Sequence, residues 1–262
     1  MPTSAMHVAR TGLEAQDARM RVIANNLANI STTGFKRDRA NFATLAYQEA
    51  RVAGQQSSNE TAYATGLNLG TGVAVQSTTA ITTQGTLNGT GNALDLALDG
   101  DGYFQVQLPG GKLGYTRAGN FTRSAEGQLV TSQGYALQPP ITIPEGASSI
   151  TIGNDGTVSA ITEGSSAPTE LGQITIASFA NSAGLQALGD NFLSETGASG
   201  PAQIGAAGTG GRGQIRQEML EGSNVNVVEE LVDMIECQRA YEINSKMISS
   251  VDEMLRNANQ TL

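Results

Sequence analysis

Few residues in this sequence have types and spacings that could do chemistry. Gly208-Thr209-Gly210-Gly211-Arg212-Gly213 matches G-x-G-x-x-G, the turn that cradles a dinucleotide pyrophosphate at a helix start. Such a cradle needs a strand before it and an amphipathic helix after it, and neither flank supplies one, so the segment reads as a loop. Asp95, Asp99 and Asp101 gather carboxylates as a Ca²⁺ loop or an acid pair would. The EF-hand spacing and its closing Glu are missing, however, and Asp-Gly pairs are ordinary hairpin tips. His7, the one histidine, reads as a helix residue, and Cys237, the one cysteine, as a small apolar residue at a helix interface. No catalytic, metal or cofactor site is expected. Asn25, Asn26 and Asn29 form the remaining cluster. Asn is a mediocre helix former, so these amides are either a solvated face or hydrogen-bonding groups between subunits.

Bulk properties narrow the class further. A net charge of −9 disfavours a nucleic-acid binder, which needs clustered Lys and Arg. Apolar residues make up 39%, and no run approaches the eighteen or so that span a bilayer, so direct membrane insertion is not expected. One cysteine excludes an internal disulfide framework and a multi-thiolate metal site. The first turns carry Arg10, Glu14, Asp17, Arg19 and Arg21, which is no cleavable secretory signal.

Gly and Pro divide the chain. Between Thr3 and Thr33 there is only Gly12, and from Val225 to Leu262 there is neither residue. Because Gly and Pro destabilise helix interiors by about 1 and 3 kcal/mol, both ends should be long helices around a turn-rich middle. In the first, Met6, Ala9, Leu13, Gln16, Met20, Ile23, Leu27 and Ile30 alternate spacings of three and four, a coiled-coil seam broken only by Gln16. Gly34 is a reasonable stop. In the last, Asn226 is a candidate N-cap answered by Glu229. Val227, Met234, Tyr241, Ile248, Leu255 and Leu262 then recur every seven residues, with Cys237, Val251 and Ala258 on one side and Ala240, Met247 and Met254 on the other.

Residues 1–40 hold six basic and three acidic residues, a charge of +3; residues 216–262 hold four and nine, a charge of −5. Opposite charge suits pairing of the two helices, within one chain or between neighbours. Only about one residue in four lies in a stripe. Ordering a residue costs about 1–2 kcal/mol, whereas burying a large stripe side chain returns about 1.5–3 kcal/mol. An isolated helix, or a bare pair, should therefore be marginal; stability should come from further copies, the alternative being two terminal helices docked on the chain's own β domain.

The middle alternates short apolar runs with turns. Leu94/Leu96/Leu98, Tyr103 to Leu108, Ile141/Ile143, Ile150/Ile152, Val158/Ile161 and Ile174/Ile176 read as strands. Asp99-Gly100-Asp101-Gly102, Pro109-Gly110-Gly111, Glu126-Gly127 and Asn154-Asp155-Gly156 read as the turns between them. The expected class is α+β: long terminal helices in a coiled-coil-like pair, with a central, mainly antiparallel β domain. The expected divisions are 1–33 with 225–262 (helical), 34–90 with 205–224 (connecting) and 91–204 (outer β domain).

Longer motifs then carry a resemblance. The run Ala24-Asn25-Asn26-Leu27-Ala28-Asn29-Ile30-Ser31-Thr32-Thr33-Gly34-Phe35-Lys36-Arg37 resembles the N-terminal signature of the flagellar rod and hook family. Glu221-Gly222-Ser223-Asn224-Val225-Asn226 and Gln238-Arg239-Ala240-Tyr241 are similar to its closing helix, and Tyr115-Thr116-Arg117-Ala118-Gly119-Asn120-Phe121 to a β-domain motif. Residues 47–65, with Gln55-Gln56-Ser57-Ser58, resemble the extra stretch of its distal-rod branch; proximal-rod and hook subunits are the rivals. The resemblance implies a non-enzymatic subunit, exported uncleaved by the flagellar type III apparatus. It implies polymerisation into a hollow shaft across the periplasm, within the basal body. The implied partners are copies of itself, proximal-rod subunits, hook or junction proteins, and the peptidoglycan-ring and outer-membrane-ring proteins. Self-assembly would rest on the seams (Met6, Leu13, Met20, Ile23, Leu27; Met234, Tyr241, Ile248, Leu255). The motif residues are Asn25, Asn26, Leu27, Asn29, Thr32, Gly34 and Phe35. A peptidoglycan hydrolase using Asp99 or Glu126, or an adhesin-like module, are the alternatives from other classes.

Overall fold

A computed structural model describes residues 2–56, 63–162 and 167–260; Leu262 and residues 57–62 of the 47–65 stretch lie outside the described residues. The chain forms two compact units. The first comprises 1–27, 38–79 and 226–262, and the second 28–37 and 80–225.

In the first unit, helix α1 (Pro2–Ala28) pairs with helix α2 (Val227–Gln260). The helix starts where the sequence places it: Asn226 Oδ1 accepts the Val228 N–H at 3.1 Å and caps the first turn. Contacts across the pair run in opposite chain directions, from Gly12 beside Asn244 to Asn26 beside Glu230, so the helices are antiparallel. The helices approach closely at Gly12, where a Cβ would lie 3.1 Å from the Asn244 side-chain nitrogen. Strands β1 (Asp38–Thr44), β2 (Gln48–Arg51), β3 (Leu67–Leu69) and β4 (Val73–Ala80) complete the unit, with β1 on β4 and β2 on β3. The β2–β3 ladder matches Gln48 with Leu69 and Arg51 with Leu67, and the Arg51 guanidinium lies 4.0 Å over the Tyr63 ring. Thr11 ties α1 to β4, its hydroxyl accepting the Val73 N–H at 3.3 Å.

The second unit is an antiparallel β structure. Strand β5 (Leu87–Gly89) pairs with 219–221, and β6 (Leu96–Asp99) with 214–217. Strands β7 (Tyr103–Gln107) and β8 (Leu113–Thr116) sit centrally in a seven-stranded sheet. Its remaining strands are 137–138, 175–178, 186–189, 192–194 and 203–206. A three-stranded sheet is made by 147–152, 157–162 and 169–173. Leu96, Leu98, Phe104, Val106, Phe121, Leu137, Ile141, Ile174, Ile176 and Ile215 close one core, with Phe104 edge-on to Phe121 at 5.2 Å. Leu96, Leu98, Phe104, Val106, Ile141, Ile174 and Ile176 belong to the apolar runs of the sequence, whereas Phe121, Leu137 and Ile215 come from outside them. The Gly-rich breaks are turns, with Gly100, Gly110, Gly127 and Gly156 at positive φ.

Candidate assembly surface

Motif residues 29–37 fold back against 221–224 inside the second unit. Gly34 adopts φ +68°, and a Cβ there would come within 2.7 Å of the Arg117 carbonyl carbon, so only glycine lets the chain pass. Its N–H donates to the Glu221 carbonyl at 2.8 Å. Thr32 donates from its hydroxyl to Asn29 Oδ1 at 3.1 Å and from its N–H to the Asn29 carbonyl at 3.2 Å, closing the turn that follows α1; Phe35 is partly buried beside it.

The Glu221 carboxylate, fully buried, is the hub of this fold-back. It accepts Lys36 Nζ at 2.5 Å, Arg117 Nη1 at 3.3 Å and the Gly85 N–H at 3.0 Å. Burial pushes the Lys36 amine below its ordinary range, while the Glu221 hydrogen bond and charge pull it back up. Asn224 acts as a second hub. Its Oδ1 accepts the Arg37 N–H at 2.7 Å, and its Nδ2 donates to the Ile81 and Thr83 carbonyls at 2.8 and 3.0 Å. The sequence motifs contain Lys36, Arg37, Arg117, Glu221 and Asn224 but not Ile81, Thr83 or Gly85, and no periodicity marks a carboxylate for burial.

In the first unit, the amide of Asn26 is turned inward. It accepts the Asp38 N–H at 2.9 Å and donates to the Asp38 carbonyl at 2.9 Å and to Glu230 Oε2 at 3.2 Å. Of the two readings of the Asn cluster, Asn26 takes neither: its bonds stay within the chain. Asn25 lies on the exposed side and Asn29 is partly buried.

The α1 seam faces inward at Ile23, which is buried, and partly so at Met6, Leu13, Met20 and Leu27. On α2, Met234, Ile248 and Leu255 are partly buried, but Tyr241 is 43% exposed. The line actually closed against α1 is Glu230, Cys237, Asn244 and Val251, small or polar residues one heptad apart. The Cys237 thiol donates to the Gln16 carbonyl and Oε1 at 3.1 and 3.2 Å, and burial pushes it above its ordinary range, away from the reactive thiolate. Arg19 meets Asp233 at 2.9 Å, the cross-helix charge pairing that the two ends' opposite charge suggests.

Away from that line, α2 carries a broad apolar band, which includes Met247 and Met254 of the flank read from the sequence and extends beyond it. Val228, Val232, Ile235, Ile243, Met247 and Met254 lie on one helical face at 100° per residue, and all are exposed, Val228 at 69% and Ile243 and Met254 at 62%. The signal was present, at offsets of four and three from Val228, but residues 239, 242 and 246 interrupt it with charge. Elsewhere, Asp99 pairs with Arg216 at 3.2 Å, and 208–213 is an exposed turn between two strands with no helix behind it. Among the described residues no helix is long and apolar enough to cross a membrane.

A unit of paired terminal helices with exposed apolar side chains and a unit of antiparallel β structure are the architecture of a structural subunit. Comparison with known proteins gives the family. Residues 6–36 match the family model described as flagella basal body rod protein, 97–160 the flagellar hook protein FlgE/F/G D1 domain, and 216–261 the flagellar basal body rod FlgEFG protein C-terminal. The flagellar basal-body rod protein FlgG of Buchnera aphidicola (from Acyrthosiphon pisum) is 49% identical over 97% of both chains. FlgG of Caulobacter vibrioides is 47% identical over 98% of both, whereas FlgF of the same organism is 35% identical over 92% of this chain and 90% of its own. The chain belongs to the flagellar basal-body rod protein family, whose members are structural subunits of the flagellum.

Proposed function

We propose that this chain is the distal-rod subunit, polymerising helically into a hollow, stiff shaft that carries torque from motor to hook. Later axial subunits pass through its lumen. The observation that carries the reading is the exposed stripe from Val228 to Met254 on α2, set away from the closed seam. Each such side chain contributes about 1.5–3 kcal/mol once covered, and in a rod family the covering surface is another copy. Its partners on this reading are further copies and proximal-rod subunits below. Hook or junction proteins lie above, with the peptidoglycan and outer-membrane rings around and the type III apparatus as the exporter. The chain acts by packing and not by catalysis. The distal assignment is supported by the closer identity to FlgG than to FlgF within one organism.

Hydrogen exchange on the dilute, isolated chain tests the assembly reading. Amides of α1 and α2 should exchange on the order of 100-fold faster than those of β7 and β8, since the helices lack their covering copies. Helix amides as slow as the β-core amides in dilute solution would mean that the ends need no partner, and the reading would fail.

A further inference from the structure

The closed face of the helix pair is unusually polar. Beside Ile23 and Val251 it closes Asn26 on Glu230 and Gln16 on Cys237, flanked by the partly exposed pair Arg19 and Asp233, while apolar side chains of α2 stay in solvent. Glu230 and Cys237 are fully buried and Asn26 nearly so. A buried polar group weakens a helix pair and at the same time makes every other register worse, because a slip strands a carboxylate or amide against hydrocarbon. One helical turn of slip, about 5.4 Å, sets Glu230 against Ile23.

We infer that these three polar rungs are the specificity-determining contacts of the subunit. They select α2 of the same chain as the partner of α1, in one antiparallel register. The apolar stripe cannot do this: its side chains are interchangeable, and it would accept α1 in several registers or another copy's helix in its place. The rungs thereby keep the intrachain pairing separate from association through the outer stripe. This inference concerns the isolated chain and does not depend on which polymer the chain enters.

The lone native cysteine makes the register directly readable. A Gln16→Cys chain gives up the Gln16–Cys237 rung and keeps the other two, Asn26–Glu230 and Arg19–Asp233, which should still hold the register. Mild oxidation at micromolar concentration should then join the new thiol to Cys237, since a disulfide spans only about 4.4–6.8 Å between Cα atoms. Reporters in which Cys237→Ser is combined with Met234→Cys or Asn244→Cys, one and two turns away along α2, should cross-link at least about tenfold less. The same three reporters are then placed in a chain carrying Arg19→Leu, Asp233→Leu and Glu230→Leu, which leaves Asn26 bonded to Asp38. There the preference should collapse to within about threefold as displaced registers become populated. An undiminished preference in the leucine chain would overturn the proposal, because burial alone would then set the register. Loss of all three cross-links would overturn it too, because the rungs would then hold the pair together without selecting among registers. A predominantly dimeric product from the first chain would show that α1 takes its partner from another copy. The hydrogen-exchange experiment above reads a different quantity, helix protection, so either result can fail without the other.

Discussion

Glu221 is where residue chemistry weighs most on this protein. A carboxylate with no solvent exposure is tolerable only because Lys36, Arg117 and the Gly85 N–H converge on it. Those partners come from three distant stretches of the chain, so the carboxylate fixes where the N-terminal motif meets the approach to α2. Glu221→Gln keeps the shape and leaves two buried cations without an anion. It should destabilise the β unit by about 3–5 kcal/mol, measured by denaturant unfolding followed through the aromatic signals of that unit. A loss under 1 kcal/mol would show that water reaches the site. By contrast, Arg19 and Asp233 are each about a third exposed, and their pair adds at most about 1 kcal/mol, so its value is geometric. The same contrast explains Asn26: its amide imitates a strand edge for both backbone groups of Asp38, a role that demands its particular shape.

At the scale of elements, α2 is a helix with two working faces. Its inner face of small and polar residues lets α1 approach closely at Gly12, and its outer face stores apolar area that the isolated chain leaves in water. A charge on the outer face separates the two roles. Val232→Asp should shift the stability of the isolated chain by no more than about 0.5 kcal/mol, since the position is half exposed. The same change should abolish incorporation into basal bodies, read by immunoblot of purified basal bodies and by swimming halos. Normal incorporation would leave the outer stripe without an assembly role. Strands β2 and β3 repeat the theme on a smaller scale, leaving Tyr47, Val52, Leu67 and Leu69 exposed on a two-stranded ladder that cannot be stable alone.

The whole molecule divides its labour between a β unit with a closed hydrocarbon core and a helical unit whose apolar area is only partly covered. On the proposed reading, a neighbouring copy completes the second. The described part of the 47–65 stretch exposes Tyr47, Val52 and Tyr63, and on the proposed rod reading the stretch should brace adjacent subunits. Deleting residues 48–62 should leave a chain that still polymerises but yields a shaft that bends, seen by electron microscopy of isolated basal bodies. A shaft as straight and stiff as the parent's would remove the bracing role.

Much of this was legible in the residue string, for definite reasons. Long Gly- and Pro-free ends dictate helices, because those two residues are the costly ones inside a helix, and Asp-Gly or Gly-Gly breaks between β-branched runs dictate hairpins. The Asn226 cap and the core runs at Leu96, Phe104 and Ile176 follow from local pattern alone. The motif run from Ala24 to Arg37 marked out the family. What local pattern could not decide is which face of α2 turns inward. Heptad counting puts Tyr241 on the same line as Met234, Ile248 and Leu255, and within the single chain Tyr241 stays exposed while Glu230, Cys237 and Val251 close inward. The choice was made by partners far away in the chain: Asn26, Gln16 and Arg19 offer hydrogen bonds that only Glu230, Cys237 and Asp233 can answer. Pairing across some 200 residues is a property of the folded chain, and a buried polar group declares its partner only when the tertiary structure brings the two together.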